Sequence, residues 1–280
     1  MTKKIRVLVP YFILEILEHD VENFNIKKNR LANIIFSYFK DDYRYFLGDD
    51  DIKNNIIQFN FNKNNDEIYE ALMSSLFNEK IDTEAKLFRS LFYTYISNPS
   101  SVREKIIFEK MYDTIITAVK NRVQIKIKYN GSFRVVEPLF ISDTKERISN
   151  YLCCYSYKHN KIINYKLSKI EKIVPLKLEQ IKYKEIDILA LKKNFDPYLS
   201  YKQEVKIKLT DKGIELFKNS AFKPKILSKD KNIYTIEASE YRAMEFLASF
   251  WEDVEILEPL NLRNWMKERV KKLVNIYITD

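Results

Sequence analysis

Apolar and polar positions alternate at the start of the chain. Ile5, Val7 and Val9 interleave with Lys4, Arg6 and Leu8, the period-two pattern of a strand with one apolar and one mainly basic face. Pro10 closes that strand. Ile13, Leu17, Val21 and Phe24, with Ile16 beside them, then recur at helical spacing. After residues 23–28 a second helical set follows: Leu31, Ile34, Ile35, Tyr38 and Phe39. The predicted order is short strand, helix, tight turn, helix. One lone strand leaves its ladder hydrogen bonds unmade and two helices of this size bury little, so the unit is expected to take a partner strand from a second chain.

Residues 46–120 read as a helical connector. The Asn-rich stretch 49–65 predicts a loop, with Asp49-Asp50-Asp51 as solvated charges or a cation site. Ile68, Leu72 and Leu76, then Leu87, Leu91 and Tyr95, return to helical spacing. Asn98-Pro99-Ser100-Ser101 restarts the chain. Ser101 and Glu104 have the spacing of a capping box for a helix buried through Ile106, Met111, Ile115 and Val119.

From Arg122 to Ile173 the pattern is that of β-structure. Val123, Ile125, Ile127 and Tyr129 alternate with Gln124, Lys126 and Lys128, Asn130-Gly131 signals a hairpin, and Phe133, Val135 and Glu137-Pro138 begin the return strand. Two more strands are expected at 148–157 and 161–167. A small, strongly twisted sheet or barrel is the natural product. The last ninety residues predict a strand (Val205, Ile207, Leu209), a short helix, a hairpin, a helix at 241–251, a strand through Val254 and Ile256, and a closing amphipathic helix carrying Trp265, Met266, Val270 and Val274.

Charge adds a function class to this layout. The net charge is +9, and residues 120–184 hold fifteen Lys or Arg against five Asp or Glu, a local net of +10 that leaves −1 for the rest. A basic surface confined to one module attracts polyanions. In that module Tyr129, Tyr151, Tyr155, Tyr157 and Tyr165 stand among Lys126, Lys128, Arg134, Arg147, Lys166 and Lys169. Stackable rings beside phosphate-holding cations are what single-stranded nucleic acids or nucleotides require, although any single Tyr here serves equally as an ordinary sheet residue. Candidate ligand residues are Tyr129, Arg134, Arg147, Tyr151, Tyr155, Lys166 and Lys169.

Three stretches resemble known families. The run KIRVLVPYFILEILEHDVENFNIKKNRLANIIFSYF resembles the ribbon-helix-helix fold, in which two chains pair strands and lay the ribbon in the DNA major groove. The resemblance implies Lys4, Arg6, Lys28 and Arg30 as DNA contacts. Leu8, which cannot read a base edge, and Lys27, where a capping Ser or Thr would stand, depart from the pattern. The runs IKIKYNGSFRVVEPLFI, ISNYLCCYS and INYKLSKIEKI resemble the WYL domain, with Asn150 in the place of its Trp, Lys166 and Lys169 in the places of two arginines, and Ser168 for an Asp. The segment ending in Val254, Ile256, Pro259, Leu262 and Arg263 resembles the extension that follows WYL domains; there Arg263 either reaches towards ligand or forms a cap or salt bridge.

These resemblances imply an α+β chain: a ribbon-helix-helix domain at 1–45, the connector at 46–120, a small Sm-like β-barrel WYL domain at 121–185 and an α/β extension at 186–280. They imply a homodimeric transcriptional regulator that uses the ribbon-helix-helix unit for duplex-DNA binding or for dimerisation alone and senses a nucleotide or single-stranded ligand. The alternative is an RNA-binding accessory of a CRISPR effector or phage-defence system.

Catalysis has little support in the residues. Three glycines cannot build a phosphate-cradling loop, and His19 and His159 belong to no metal or catalytic cluster. No cofactor or metal is expected, and adjacent Cys153 and Cys154 suit reduced structural thiols. No run is long and apolar enough for a bilayer, so a cytoplasmic protein without a membrane partner is expected.

Overall fold

β1 (Lys4–Leu8) buries Ile5 and Val7 and exposes Lys4, Arg6 and Leu8, the two faces that the alternation predicts. In this computed structural model, which describes residues 2–46, 48, 55–76, 83–144 and 146–278 (backbone only for 74–76), the ladder of β1 is filled within the chain. After α1 (Tyr11–Asn23) and α2 (Lys28–Phe39), β2 (Ile56–Asn60) returns antiparallel to β1, pairing Lys4 with Asn60, Arg6 with Gln58 and Leu8 with Ile56. This corrects two expectations. The stretch 49–65 contains a strand, and β1 needs no second chain to satisfy its backbone. The acidic triplet Asp49–Asp51 lies outside the described residues.

α3 (Lys63–Leu76) and α4 (Glu84–Ile96) follow, and α4 is the centre of the core, where Leu87, Phe88, Leu91, Phe92 and Tyr95 are fully buried. Phe88 meets Phe36, Phe59, Phe61, Tyr69 and Phe92 with ring centroids 5.5–6.1 Å apart. The segment expected to be a connector therefore supplies most of the buried rings of this core.

The expected capping-box helix is two helices, α5 (Ser100–Ile107) and α6 (Glu109–Lys120), broken at Phe108. No side chain caps α5, whose N-cap is Pro99. Ser101 Oγ donates to Asp143 Oδ2 (3.0 Å), and Glu104 is drawn away to accept from Asn150 N (2.5 Å), Asn150 Nδ2 (2.9 Å) and Ser168 N (3.0 Å). Buried donors on β-structure outcompete the local cap because they have no water to turn to.

β3 (Val123–Tyr129) and β4 (Ser132–Asp143) are joined at Asn130-Gly131, both with positive φ (50° and 73°), the conformation a tight two-residue hairpin demands. β5 (Asn150–Ser156), β6 (Lys161–Lys166) and, after a 3₁₀ turn at Leu167–Lys169, β7 (Ile170–Glu179) complete a five-stranded antiparallel sheet in the order β6-β5-β4-β3-β7. Among the described residues β6 and β7 do not pair, so the sheet is open rather than the barrel expected. Ile125, Ile127, Val136, Leu152 and Cys154 on its inner face join Ile115 and Ala118 of α6 in one continuous core that runs back to Ile5.

Two compact units divide at Ile186 and Asp187. The second begins with α7 (Ile188–Lys193) and has its own core around Val205, Ile207, Phe217, Ile236, Leu247 and Leu262. β8 (Glu204–Leu209), α8 (Asp211–Asn219), β9 (Lys225–Asp230), β10 (Ile233–Glu237), α9 (Glu240–Leu247), β11 (Val254–Glu258) and α10 (Leu260–Tyr277) form it, with sheet order β11-β8-β10-β9. The helix expected at 241–251 is shorter and ends in a 3₁₀ segment, Ala248–Asp253.

Candidate nucleic-acid interface

Cross-strand partners in an antiparallel sheet share a face, so the register sorts the expected ligand residues. Arg134 pairs with Ile127, and Tyr165 with Leu152, which places both on the inner face with Tyr129. Tyr151 pairs with Lys166, and Tyr155 with Ile162 and with Glu137, on the opposite face. The residues picked from sequence thus divide between the two faces.

On the inner face three of them converge. The Tyr129 and Tyr165 rings lie 4.8 Å apart by centroid, and the Arg134 guanidinium sits 5.3 Å from each. A cation against two ring faces is attracted by both quadrupoles, by roughly 1 kcal/mol at a partly exposed site. Burial pushes the Tyr129 phenol up from its usual range, the Lys166 backbone amide and Arg134 pulling against it.

Two polar atoms in this group are left over. Arg134 Nε and the hydroxyl of Tyr165, which is 3% exposed, are buried and find no hydrogen-bond partner among the described residues. An unmade hydrogen bond of this kind costs about 1–3 kcal/mol. Arg134 also has no carboxylate partner there, so its charge is uncompensated. Tyr165 belongs to the ring series of the sequence but not to the residues selected from it; what marks it out is its register opposite Leu152, next to Arg134, which periodicity does not reveal.

The other candidates have different surroundings. On the opposite face Tyr155 donates to Asn160 and stacks edge-on with Tyr157 at 5.5 Å, and Tyr157 in turn donates to the buried Glu137. Glu137 also accepts from the backbone of Ile181 (2.8 Å) and Tyr183 (3.1 Å). Lys166 extends to Asn23 at the end of α1 (3.5 Å), and Lys169 is exposed on the 3₁₀ turn. Arg147, in the β4–β5 loop, faces Asp143 at 3.7 Å beside the start of α5. Arg263 lies in the second unit and is held by its own module, Nη1 to the Ile256 carbonyl (2.9 Å) and Nη2 to Glu255 (2.7 Å), the salt-bridging option. In the N-terminal region Lys4, Arg6 and Arg30 are exposed, and Lys28 is paired with Glu18 at 3.1 Å.

Elsewhere, no group of three His, Cys, Asp or Glu is arranged to hold a metal ion among the described residues, and no described helix is long and apolar enough to cross a membrane.

The first unit thus carries an open antiparallel sheet backed by a helix, with a cation set against two rings on its inner face, and a separate α/β module follows it in the chain. The WYL domain family matches residues 110–175 and the WCX domain family residues 201–274, and the chain carries both domains. It shares its fold with a solved structure described as a CRISPR Cas-related protein, at 15% identity and a TM-score of 0.69, over 99% of this chain and 94% of that one. Proteasome accessory factor B/C (PafBC) of Arthrobacter aurescens aligns at 16% identity over 97% of this chain and 47% of that one, with a TM-score of 0.31, too low to carry an argument. No curated protein matches.

Proposed function

We propose that the protein is a non-catalytic, nucleic-acid-binding regulator of the WYL type, in which Arg134, framed by Tyr129 and Tyr165, takes a phosphate-bearing nucleotide or single strand. The observation that carries this reading is the pair of unpartnered buried polar atoms, Arg134 Nε and the Tyr165 hydroxyl, in one cluster of a module with a net charge of +10. A phosphate oxygen is the acceptor that a fixed guanidinium accommodates best, and a ring edge beside it suits a base. The exposed Lys4, Arg6 and Arg30 of the N-terminal region are the duplex-DNA contacts in this reading. The assembly proposed is a homodimer, supported by the exposed apolar stripe Val270, Val274, Tyr277 and Ile278 at the end of α10.

A second reading, an RNA-binding accessory of a CRISPR system, is favoured by the nearly full-length fold likeness to the CRISPR Cas-related structure. Competition between a labelled single-stranded RNA and a duplex DNA for the purified protein, followed by anisotropy at several salt concentrations, separates the two. Both readings require log affinity to fall linearly with log salt as phosphates displace counterions. A flat salt response removes both and leaves a protein–protein adaptor.

A further inference from the structure

A hollow of about 550 Å³ opens between α2, the end of β2 and the first turn of α3, far along the sequence from the WYL domain. Six asparagines, Arg30 and Ser37 make its polar lining, which among the described residues contains no carboxylate. Two of the asparagines form a fixed base. Asn33 gives both amide hydrogens to carbonyls, of Asn29 (2.7 Å) and Asn60 (2.9 Å), while its Oδ1 receives the Asn62 N–H (2.9 Å). Asn65 gives both of its own to the Asn33 carbonyl (2.9 Å) and Oδ1 (3.0 Å). Asn65 is 2% exposed, yet its Oδ1 accepts no hydrogen bond among the described residues. An unused acceptor in the wall of an open hollow is available to an incoming donor.

Around that base the rim is free. Asn64 and Arg30 are exposed, and neither has a hydrogen-bond or ion-pair partner among the described residues. The apolar part of the lining is Phe61 and Ile34. A carboxamide presents a donor beside an acceptor, the arrangement that matches a base edge, adenine above all, and a guanidinium supplies the phosphate contact. The volume is within the range of small-ligand sites. A second hollow of about 400 Å³ shares Arg30, Ile34 and Ser37 and adds the half-exposed ring of Tyr38 and, from α6, Glu109 and Lys110. Arg30 therefore lines both hollows.

We infer that the asparagine-lined hollow on α2 is a nucleotide site, with the base read by the Asn64 carboxamide beside the Asn65 Oδ1 acceptor and the phosphate held by Arg30. This site is independent of the Arg134 group and stands or falls separately. The ligand is either a free nucleotide or one unit of a single strand. The test uses the full-length protein, a short fluorescein-labelled oligoadenylate RNA and AMP as competitor, with Arg30→Ala, Asn64→Asp and Arg134→Ala compared.

Arg30→Ala on α2 and Asn64→Asp on α3 are both at exposed, unpartnered side chains and leave the fold intact. Each is expected to weaken oligoadenylate binding about tenfold, the loss of one charged contact or the gain of one repulsion. Displacement by AMP identifies a free-nucleotide site; binding of the oligomer alone identifies a strand site. The inference is overturned when neither probe binds, or when Arg30→Ala and Asn64→Asp bind as the parent does while Arg134→Ala is impaired, which assigns all binding to the WYL domain.

Discussion

Arg103 grips Asp20 across 83 residues of chain, Nε to Oδ2 at 2.6 Å and Nη2 to Oδ1 at 3.0 Å, and so fastens α5 to α1. Tyr95 of α4 adds its hydroxyl to Asp20 Oδ2 at 2.7 Å, and Arg103 Nη1 donates to the Asn98 carbonyl at 2.7 Å. The carboxylate is fully buried, and burial together with that charge drives the Tyr95 phenol far above its usual range. Removing one partner strands the other in a low-dielectric interior. Arg103→Met is expected to cost about 3–5 kcal/mol, and adding Asp20→Leu to recover much of it. Urea midpoints of the single and double variants decide the point. A single variant within about 0.5 kcal/mol of the parent would show the pair to be unimportant.

Glu104 does for the sheet what Asp20 does for the helices. It ties α5 to the start of β5 and to the turn that carries Ser168 and Lys169, and Asn150 completes the tie by donating to the Ser101 carbonyl at 2.6 Å. Asn150, which stands where the WYL resemblance places a Trp, commits both of its amide hydrogens here. Glu104→Gln puts a second set of donors against the Asn150 and Ser168 amides and is expected to lose about 2–3 kcal/mol. Hydrogen exchange at those two amides should accelerate ahead of the rest of the sheet. Uniform protection across β5 in the variant would count against the tie.

Arg134→Lys keeps the charge but loses the planar group lying against two rings. Single-strand affinity is expected to fall about tenfold while thermal stability changes by less than about 1 kcal/mol, since the cation–ring contacts are small and Nε is already unsatisfied. Anisotropy titrations and a thermal melt report the two quantities separately. Equal affinity in the variant would remove Arg134 from the interface.

Much of the fold is legible in local periodicity. β1, α1, α2, α4, the Asn130-Gly131 hairpin and, apart from α7 and the end of α9, the strands and helices of the second unit follow from apolar spacing and turn residues. What escapes is whatever depends on a partner distant in sequence. Ile57, Phe59 and Phe61 do alternate with Gln58 and Asn60, yet the asparagines around them mimic a loop, and only pairing with β1 turns the segment into β2. Ser101 and Glu104 have the spacing of a cap but are claimed by Asp143, Asn150 and Ser168, at separations of 42, 46 and 64 residues. The tyrosines and cations of the middle module are the right residue types, but their division between two faces follows from register, which the sequence does not show.

Cys153 and Cys154 provide a test of burial in the same sheet through pH. Burial pushes the Cys153 thiol up from 9.0 to about 12 and raises Cys154 well above its ordinary value. In the unfolded chain both ionise near their reference value of about 8.5. The folded state therefore holds the protons more tightly, so this contribution to stability is full below about pH 8.5 and drains away as pH rises towards the folded value near 12. Tyr69, pushed up to about 12 by burial and by Glu84, acts in the same direction. The melting temperature should fall across that alkaline window, and less steeply in a Cys153→Ala/Cys154→Ala variant. At about pH 8 a thiol reagent should leave both cysteines untouched in the native protein and titrate both in denaturant, because the thiolate is the reactive form. Rapid labelling of the native protein at that pH would show the β5 interior to be open.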